Sequence, residues 1–382
     1  MKKKKIAYVS GTRADFGLMT SVLKAVRASD KLELQLYATC MHLMPEFGET
    51  INHIKKEFPE VASIQAVFEK DDREGAAKFS GDFLSKLTLE FGENRPDFVL
   101  ILGDRVEMLC VAVACLYLGI PTGHLHGGEK TSTVDEIARH AITKLASIHF
   151  SATNESAERI RKMGEEEWRI RVVGAPALDV ILNEELPTRE ELYRELGLKQ
   201  ENKFILLTQH SVSEEIEDAG KQTEETISAV KKTGLPVVVT YPNSDVGGRE
   251  IIEVIDKEKN NPLFHIFSSL EYKTFLASER EAAVWVGNSS GAMIESSSFK
   301  TPVVNIGARQ EGRQRGQNVI DVGYDRNEIF EAVKKSLEDE EYKKFLSGIT
   351  NPWGDGKTGI RVREILEDLE LNSRLLAKRI AY

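Results

Sequence analysis

The chain has 382 residues, 41% apolar and 29% charged, an ordinary globular composition with room for two domains of roughly 150–190 residues. Its net charge of −10, from 51 basic and 61 acidic side chains, argues against broad nucleic-acid or membrane-surface binding; an anionic ligand needs a local cationic pocket. No apolar run of about 18 residues is present to span a bilayer, and Lys2–Lys5 lead straight into a strand without the apolar core of a signal peptide.

Strand-like and helix-like segments alternate from the start. Apolar runs bounded by turn residues predict strands near 6–10, 32–39, 62–67, 98–102, 120–125, 148–152 and 170–173. Helical periodicity predicts helices near 16–28, 44–57, 73–93, 105–118, 133–146 and 155–163. Cys110 and Cys115 fall in an apolar helical run and read as core; with Cys40, and no metal-ligand spacing, they suit a reducing cytoplasm. At Asn183–Gln200 the pattern changes to a charged, Pro-containing stretch that reads as the linker region. Alternation resumes with strands at 204–208, 236–240, 264–267, 282–287, 302–307 and 319–323, and a long helical pattern closes the chain. The prediction is an α/β protein of two Rossmann-like doubly wound domains. Residues 1–183, joined by the C-terminal helix 360–382, form the first, and 184–359 the second.

Open α/β sheets bind ligands beyond the carboxyl ends of their strands. Strand 98–102 ends in Gly103-Asp104-Arg105, and strand 120–125 in His126-Gly127-Gly128-Glu129. The next helix carries Asp135, Glu136, Arg139 and His140. Carboxylates, cations and histidines on two adjacent strand ends point to acid–base chemistry. The i,i+4 spacings of Asp135 with Arg139 and Glu136 with His140 fit helix salt bridges equally well.

The first strand ends in Ser10-Gly11-Thr12-Arg13, where a glycine, a helix N-terminus and an arginine suit an anion or a plain structural turn. It is not a G-x-G-x-x-G fingerprint, so no nicotinamide cofactor is implied. In the second half, Asn288-Ser289-Ser290-Gly291 precedes a helix reaching Glu295. Those donors suit a diphosphate and the carboxylate suits ribose hydroxyls, against the alternative of ordinary helix capping. Arg309, Arg313 and Arg315 crowd the loop 307–316, as counter-charge for a nucleotide or as surface ion-pair partners. His210 and Asn243 also follow strands. No metal site or cofactor is implied, because the histidines and carboxylates serve as acid–base groups; a magnesium ion on a diphosphate is compatible with the set.

In their joint order, SGTRADFGLM (10–19), LGDRVEM (102–108), HLHGGEKT (124–131), VDEIARHAITK (134–144), TQH (208–210), PNSD (242–245), GNSSGAMIE (287–295) and NIGARQEGRQRGQNVIDV (305–322) carry a resemblance. The chain resembles the UDP-N-acetylglucosamine 2-epimerases, and among them the hydrolysing branch that feeds sialic acid synthesis. The resemblance covers nearly the whole chain. It implies a glycosyltransferase-B architecture with a central cleft between the halves. It implies conversion of UDP-GlcNAc and water to N-acetylmannosamine and UDP, by elimination to 2-acetamidoglucal and then hydration. The same chemistry on nucleotide-linked N,N'-diacetylbacillosamine, on the legionaminic acid route, and non-hydrolysing epimerisation to UDP-ManNAc are the alternatives.

Residue by residue, the resemblance implies catalytic roles for Asp104, His126, Glu129, Asp135 and His210. It implies nucleotide-sugar binding by Arg13, Arg105, Asn243, Ser289, Ser290, Gly291, Glu295 and Arg309. Some members carry a carboxylate where this chain has His126, leaving open how His126 and Glu129 divide that role. A cytoplasmic homodimer or pair of dimers is also implied, with no nucleic-acid or membrane partner.

Overall fold

The computed structural model describes residues 2–45, 48–70, 72–130, 134–212, 215–242 and 247–382. It divides into two compact units, one built on the chain up to Glu129, Val134–Asn183 and Trp353–Tyr382, the other on Glu184–Pro352.

In the first unit the chain runs β1 (Lys4–Ser10), α1 (Arg13–Arg27), β2 (Leu32–Ala38), α2 (Ile51–Glu57), β3 (Ala62–Ser63), α3 (Arg73–Glu93) and β4 (Phe98–Leu102). It continues through α4 (Val106–Leu118), β5 (Thr122–Leu125), α5 (Val134–Leu145), β6 (Ile148–Ser151), α6 (Asn154–Lys162), β7 (Ile170–Val172) and α7 (Ala177–Asn183). All seven strands are parallel, in the order β3-β2-β1-β4-β5-β6-β7. Strand β4 reads FVLIL and is buried at every position, as expected of a strand covered by helices on both faces. The order reverses between β1 and β4, opening a crevice at their carboxyl ends.

Two predicted elements are shorter than expected. The helix expected from 44 begins at Ile51, because Pro45 and the left-handed Gly48 (φ 85°) and Glu49 (φ 44°) cannot continue a helix. The strand expected over 62–67 pairs only at Ala62–Ser63. Beyond it the Thr39 hydroxyl takes the Ile64 carbonyl at 2.9 Å, replacing the sheet ladder.

The second unit contains α8 (Arg189–Leu196), β8 (Ile205–Thr208), α9 (Ala219–Lys231), β9 (Val237–Thr240), α10 (Gly248–Asp256), β10 (Phe264–Phe267) and α11 (Tyr272–Glu281). Then come β11 (Val284–Gly287), α12 (Ser290–Ile294), α13 (Ser296–Phe299), β12 (Val303–Ile306), β13 (Val319–Val322), α14 (Arg326–Glu338) and α15 (Glu340–Ser347). Its parallel sheet repeats the doubly wound order, β10-β9-β8-β11-β12-β13. The stretch expected as linker is not all linker. Thr188 and Glu191 form a capping box that starts α8, and Leu192, Tyr193 and Leu196 bury that helix in the second unit's core.

The tail returns to the first unit as α16 (Thr358–Asp368), which packs on α1, and the short α17 (Ser373–Leu376). Asp179 caps α16, accepting the N–H groups of Thr358 at 2.8 Å and Gly359 at 2.6 Å. The single long helix expected here is broken after Asp368. The Lys4 ammonium takes the carbonyls of Leu366, Glu367 and Leu369 at 3.0, 2.8 and 2.7 Å, and Asn372 starts a new turn. Further on, Lys378 reaches Glu165 at 2.7 Å, a carboxylate also bonded by Lys144 at 2.6 Å and His149 at 3.0 Å. Among the described residues no helix is long and apolar enough to cross a membrane.

Burial pushes the Glu165 carboxyl up, but bonds from His149, Lys144 and Lys378 outweigh it and hold it at about 2, against the usual 4.5. Stability from this group is full above the unfolded value and is lost as pH falls toward 2. Acid unfolding followed by circular dichroism should therefore show a flatter limb between pH 4.5 and 2 for Glu165→Gln than for the parent. An identical slope would contradict the network's role in seating the tail.

Candidate active site

In the first unit, the turn after β1 is closed upon itself. Asp15 Oδ2 accepts the N–H groups of Gly11 at 3.0 Å and Thr12 at 2.7 Å, and Oδ1 accepts from the Ser10 and Tyr8 hydroxyls. Burial above all raises the Asp15 carboxyl to about 6, with the Ser10 bond opposing it. The Gly11 and Thr12 N–H groups are thus taken by Asp15, which favours the structural-turn alternative for those two donors. Its glycine has a local cause: a Cβ at Gly11 would sit 2.7 Å from Glu107 Oε1. Arg13, the first residue of α1, is half-buried.

The ends of β4 and β5 are joined through Arg139 on α5. Its guanidinium, 3% exposed, pairs with Asp104, donates to the His126 carbonyl at 2.8 Å and lies 3.6 Å from Glu129 Oε2. Burial disfavours its charge, and Asp104, Glu129, Asp135 and Glu136 together more than offset that. The i,i+4 pairing expected with Asp135 is therefore not the main bond of Arg139, whereas Glu136 does meet His140, at 3.4 Å. Asp135 lies half-buried in the first turn of α5. Arg105, at the N-cap of α4, reaches buried Glu107 at 3.3 Å.

The two histidines of this segment have different surroundings. His124 is spent on structure, with Nε2 on the Gly103 carbonyl at 2.7 Å and Nδ1 on Thr143 Oγ1 at 3.2 Å; burial lowers it to about 3. His126 sits in the left-handed region at φ 59°, a conformation that costs a non-glycine residue roughly 1–2 kcal/mol. Its Nδ1 is bonded to Glu129, while its Nε2 is buried without a partner among the described residues. An ionised Glu129 accepts only, so Nδ1 carries the hydrogen of this bond, and in the neutral tautomer that fits it Nε2 is the acceptor nitrogen.

In the second unit, the ends of β8, β11 and β12 are tied by Asn288. Its Oδ1 accepts the His210 N–H at 2.7 Å and its Nδ2 donates to the His210 carbonyl at 2.9 Å. Its own carbonyl accepts from Arg309 at 3.2 Å and Gln310 at 3.0 Å. Gly287 before it has φ 130°, and a Cβ there would fall 1.8 Å from the Thr208 carbonyl oxygen, so only glycine lets β11 turn beside β8. Ser289 is the N-cap of α12 without a side-chain capping bond; Ser290 and Gly291 follow, half-buried. Glu295 is buried and accepts from the Tyr272 hydroxyl at 3.3 Å. Arg315 pairs with Asp321 and Arg313 bonds Gln310 at 3.2 Å, so these two arginines stiffen the loop. Asn243 lies outside the described residues.

Gln310 was not among the expected site residues, and Arg139 and Asn288 were named within their motifs without a role of their own. Asn288 directly follows a strand and falls under the strand-end rule. Arg139 was hidden by its i,i+4 spacing.

Two doubly wound parallel sheets, each with donors and ionisable groups at its order reversal, make the glycosyltransferase-B-like fold class. The chain belongs to the UDP-N-acetylglucosamine 2-epimerase family, whose model matches residues 24–367. It is 40% identical over 380 residues, 99% of this chain and 100% of the relative, to the UDP-N,N'-diacetylbacillosamine 2-epimerase (hydrolyzing) of Legionella pneumophila. It is 35% identical over 350 residues, 90% of each, to the GDP/UDP-N,N'-diacetylbacillosamine 2-epimerase (hydrolyzing) of Campylobacter jejuni. Among solved structures, it is similar in fold to the UDP-GlcNAc 2-epimerase of Neisseria meningitidis bound to UDP-GlcNAc. That match has a TM-score of 0.78 at 20% identity, covering 95% of this chain and 99% of the other.

Removing Arg139 takes its cation from half-buried Asp104 and from beside buried Glu129, which costs about 3 kcal/mol or more. Arg139→Leu should lose that much in urea unfolding, and Arg139→Lys less, since a lysine keeps the charge but not the planar fork. A loss under about 1 kcal/mol, the range of exposed pairs, would contradict the clamp.

Proposed function

We propose that the protein is a hydrolysing nucleotide-sugar 2-epimerase whose preferred sugar is nucleotide-linked N,N'-diacetylbacillosamine. The observation that carries the sugar is the 40% identity, end to end, with the Legionella enzyme named for that substrate. The family's own name favours UDP-GlcNAc as the second reading, with N-acetylmannosamine as product. The chemistry is common to both. A base removes the C2 proton, the C1–C2 double bond forms, and the C1–oxygen bond breaks to release the nucleoside diphosphate. Water then adds to C1 of the glycal and a proton to the opposite face of C2.

The C2 proton beside an acetamido group is weakly acidic, so its removal needs a positioned base. Asp104 and Asp135 work at the sugar, and Arg139 holds Asp104 in place. Glu129 orients His126, whose Nε2 lone pair faces the sugar; this divides the role left open between them. His210, beside Asn288, meets the diphosphate with Arg309, where negative charge develops as the nucleotide departs. Arg13, Arg105, Asn243, Ser289, Ser290 and Gly291 complete nucleotide-sugar binding, and Glu295 accepts the ribose hydroxyls.

Steady-state turnover on the two sugars decides between the readings: kcat/KM should favour the UDP-linked diacetylbacillosamine by at least ~10-fold, or about 1.4 kcal/mol. A preference for UDP-GlcNAc would establish the second reading instead. The GDP-linked sugar belongs in the same series, given the Campylobacter enzyme's name. His126→Gln and Asp104→Asn should each lower kcat by ~10²–10⁴-fold, the usual worth of a general acid or base, with UDP affinity nearly unchanged. Arg309→Ala should weaken UDP binding ~10-fold or more; unchanged calorimetric affinity would remove Arg309 from the site.

A further inference from the structure

Glu279, on α11, is a charged residue type in a place that offers it no counter-charge. It is 0% exposed, and among the described residues neither carboxyl oxygen receives an ordinary N–H or O–H bond. The nearby Thr301 hydroxyl goes to the Glu279 backbone carbonyl instead, at 2.7 Å. The group that does meet its side chain is another carboxyl, that of Glu295, itself 3% exposed. Two adjacent ionised carboxylates shut away from water repel each other, so such a pair holds a proton.

The partners decide which member holds it. Glu295 receives the Tyr272 hydroxyl at 3.3 Å, a bond that favours its ionised form, whereas Glu279 has no such donor. Glu295, Glu279 and Glu184 all act on Tyr272 to raise its hydroxyl. Lys273, next to Tyr272 in the chain, is engaged with Glu184 at 2.6 Å. Burial first, and then the Glu295 charge, hold the Glu279 carboxyl well above the usual carboxylate range. Room on the far side of Glu295 is kept by Gly291, where a Cβ would sit 2.8 Å from Glu295 Oε2.

We propose that Glu279 is a neutral carboxylic acid that donates its proton to Glu295, a positioning residue that keeps Glu295 as the charged acceptor for ribose hydroxyls. The acceptor half of this statement rests on the nucleotide reading given above. Glu279→Gln supplies an N–H donor of the same shape, and Glu279→Met fills the space without one.

Two measurements on the full-length protein test it. At neutral pH, the infrared difference between parent and Glu279→Gln should show the loss of one protonated-carboxyl stretch, and Glu295→Gln should keep that stretch. In calorimetry with UDP and 2'-deoxy-UDP as probes, Glu279→Gln should retain the parent's preference for UDP within twofold, while Glu279→Met, folded by circular dichroism, should lose it about tenfold. No band lost in Glu279→Gln, or an unchanged preference in Glu279→Met, would overturn the positioning role. A parent protein that binds neither probe would overturn the nucleotide reading and the acceptor half with it, while the infrared band separately decides where the proton resides.

Discussion

The guanidinium of Arg139 is the interaction on which the first unit's strand ends depend. It stands on α5, yet its hydrogen bonds hold the Asp104 carboxylate after β4 and the His126 carbonyl after β5, with Glu129 close by. A buried arginine is costly unless each face of its charge is met. Here the groups that meet it include those proposed to work on the sugar. The same bond to the His126 carbonyl, together with Glu129 on Nδ1, holds His126 in a backbone conformation it would otherwise leave. Stability and readiness of the site thus rest on one ion-pair network.

In the second unit the strand ends are tied by an amide, Asn288. The unit's sheet has the same kind of strand order, so a reversal again leaves strand ends whose backbone groups lack sheet partners. Asn288 supplies both an acceptor and a donor to the His210 backbone and offers its own carbonyl to Arg309 and Gln310. An amide suits this task because it carries both functions in one plane.

Much of this organisation is legible in the sequence because it arises from local patterns. FVLIL and FHIF announce their strands by composition, and the strand-end rule leads directly to Asp104, His126, His210 and Arg309. What escapes is set by partners distant in the chain. Arg139 has Asp135 four residues away but takes Asp104, 35 residues earlier, because packing α5 beside β4 and β5 outweighs helix proximity. At the break after Asp368 the sequence offers only the N-cap Asn372; the Lys4 ammonium that takes the last carbonyls is more than 360 residues away. Glu279 sits in a run, ASERE, that reads as a solvated helix face, and only the packing of α11 reveals it as buried beside a second carboxyl. At the turn after β1 composition leaves an anion site and a structural turn open, and Asp15 takes the Gly11 and Thr12 N–H groups.

The central claim is that this network breaks the C2–hydrogen and C1–oxygen bonds and returns a free sugar. Turnover of the UDP-linked sugar in heavy-oxygen water tests it most directly, with the products resolved by mass spectrometry. The account predicts one heavy oxygen at C1 of a free 2-epimeric sugar and none in UDP. Label in the phosphate, or an epimer still joined to its nucleotide, would contradict it.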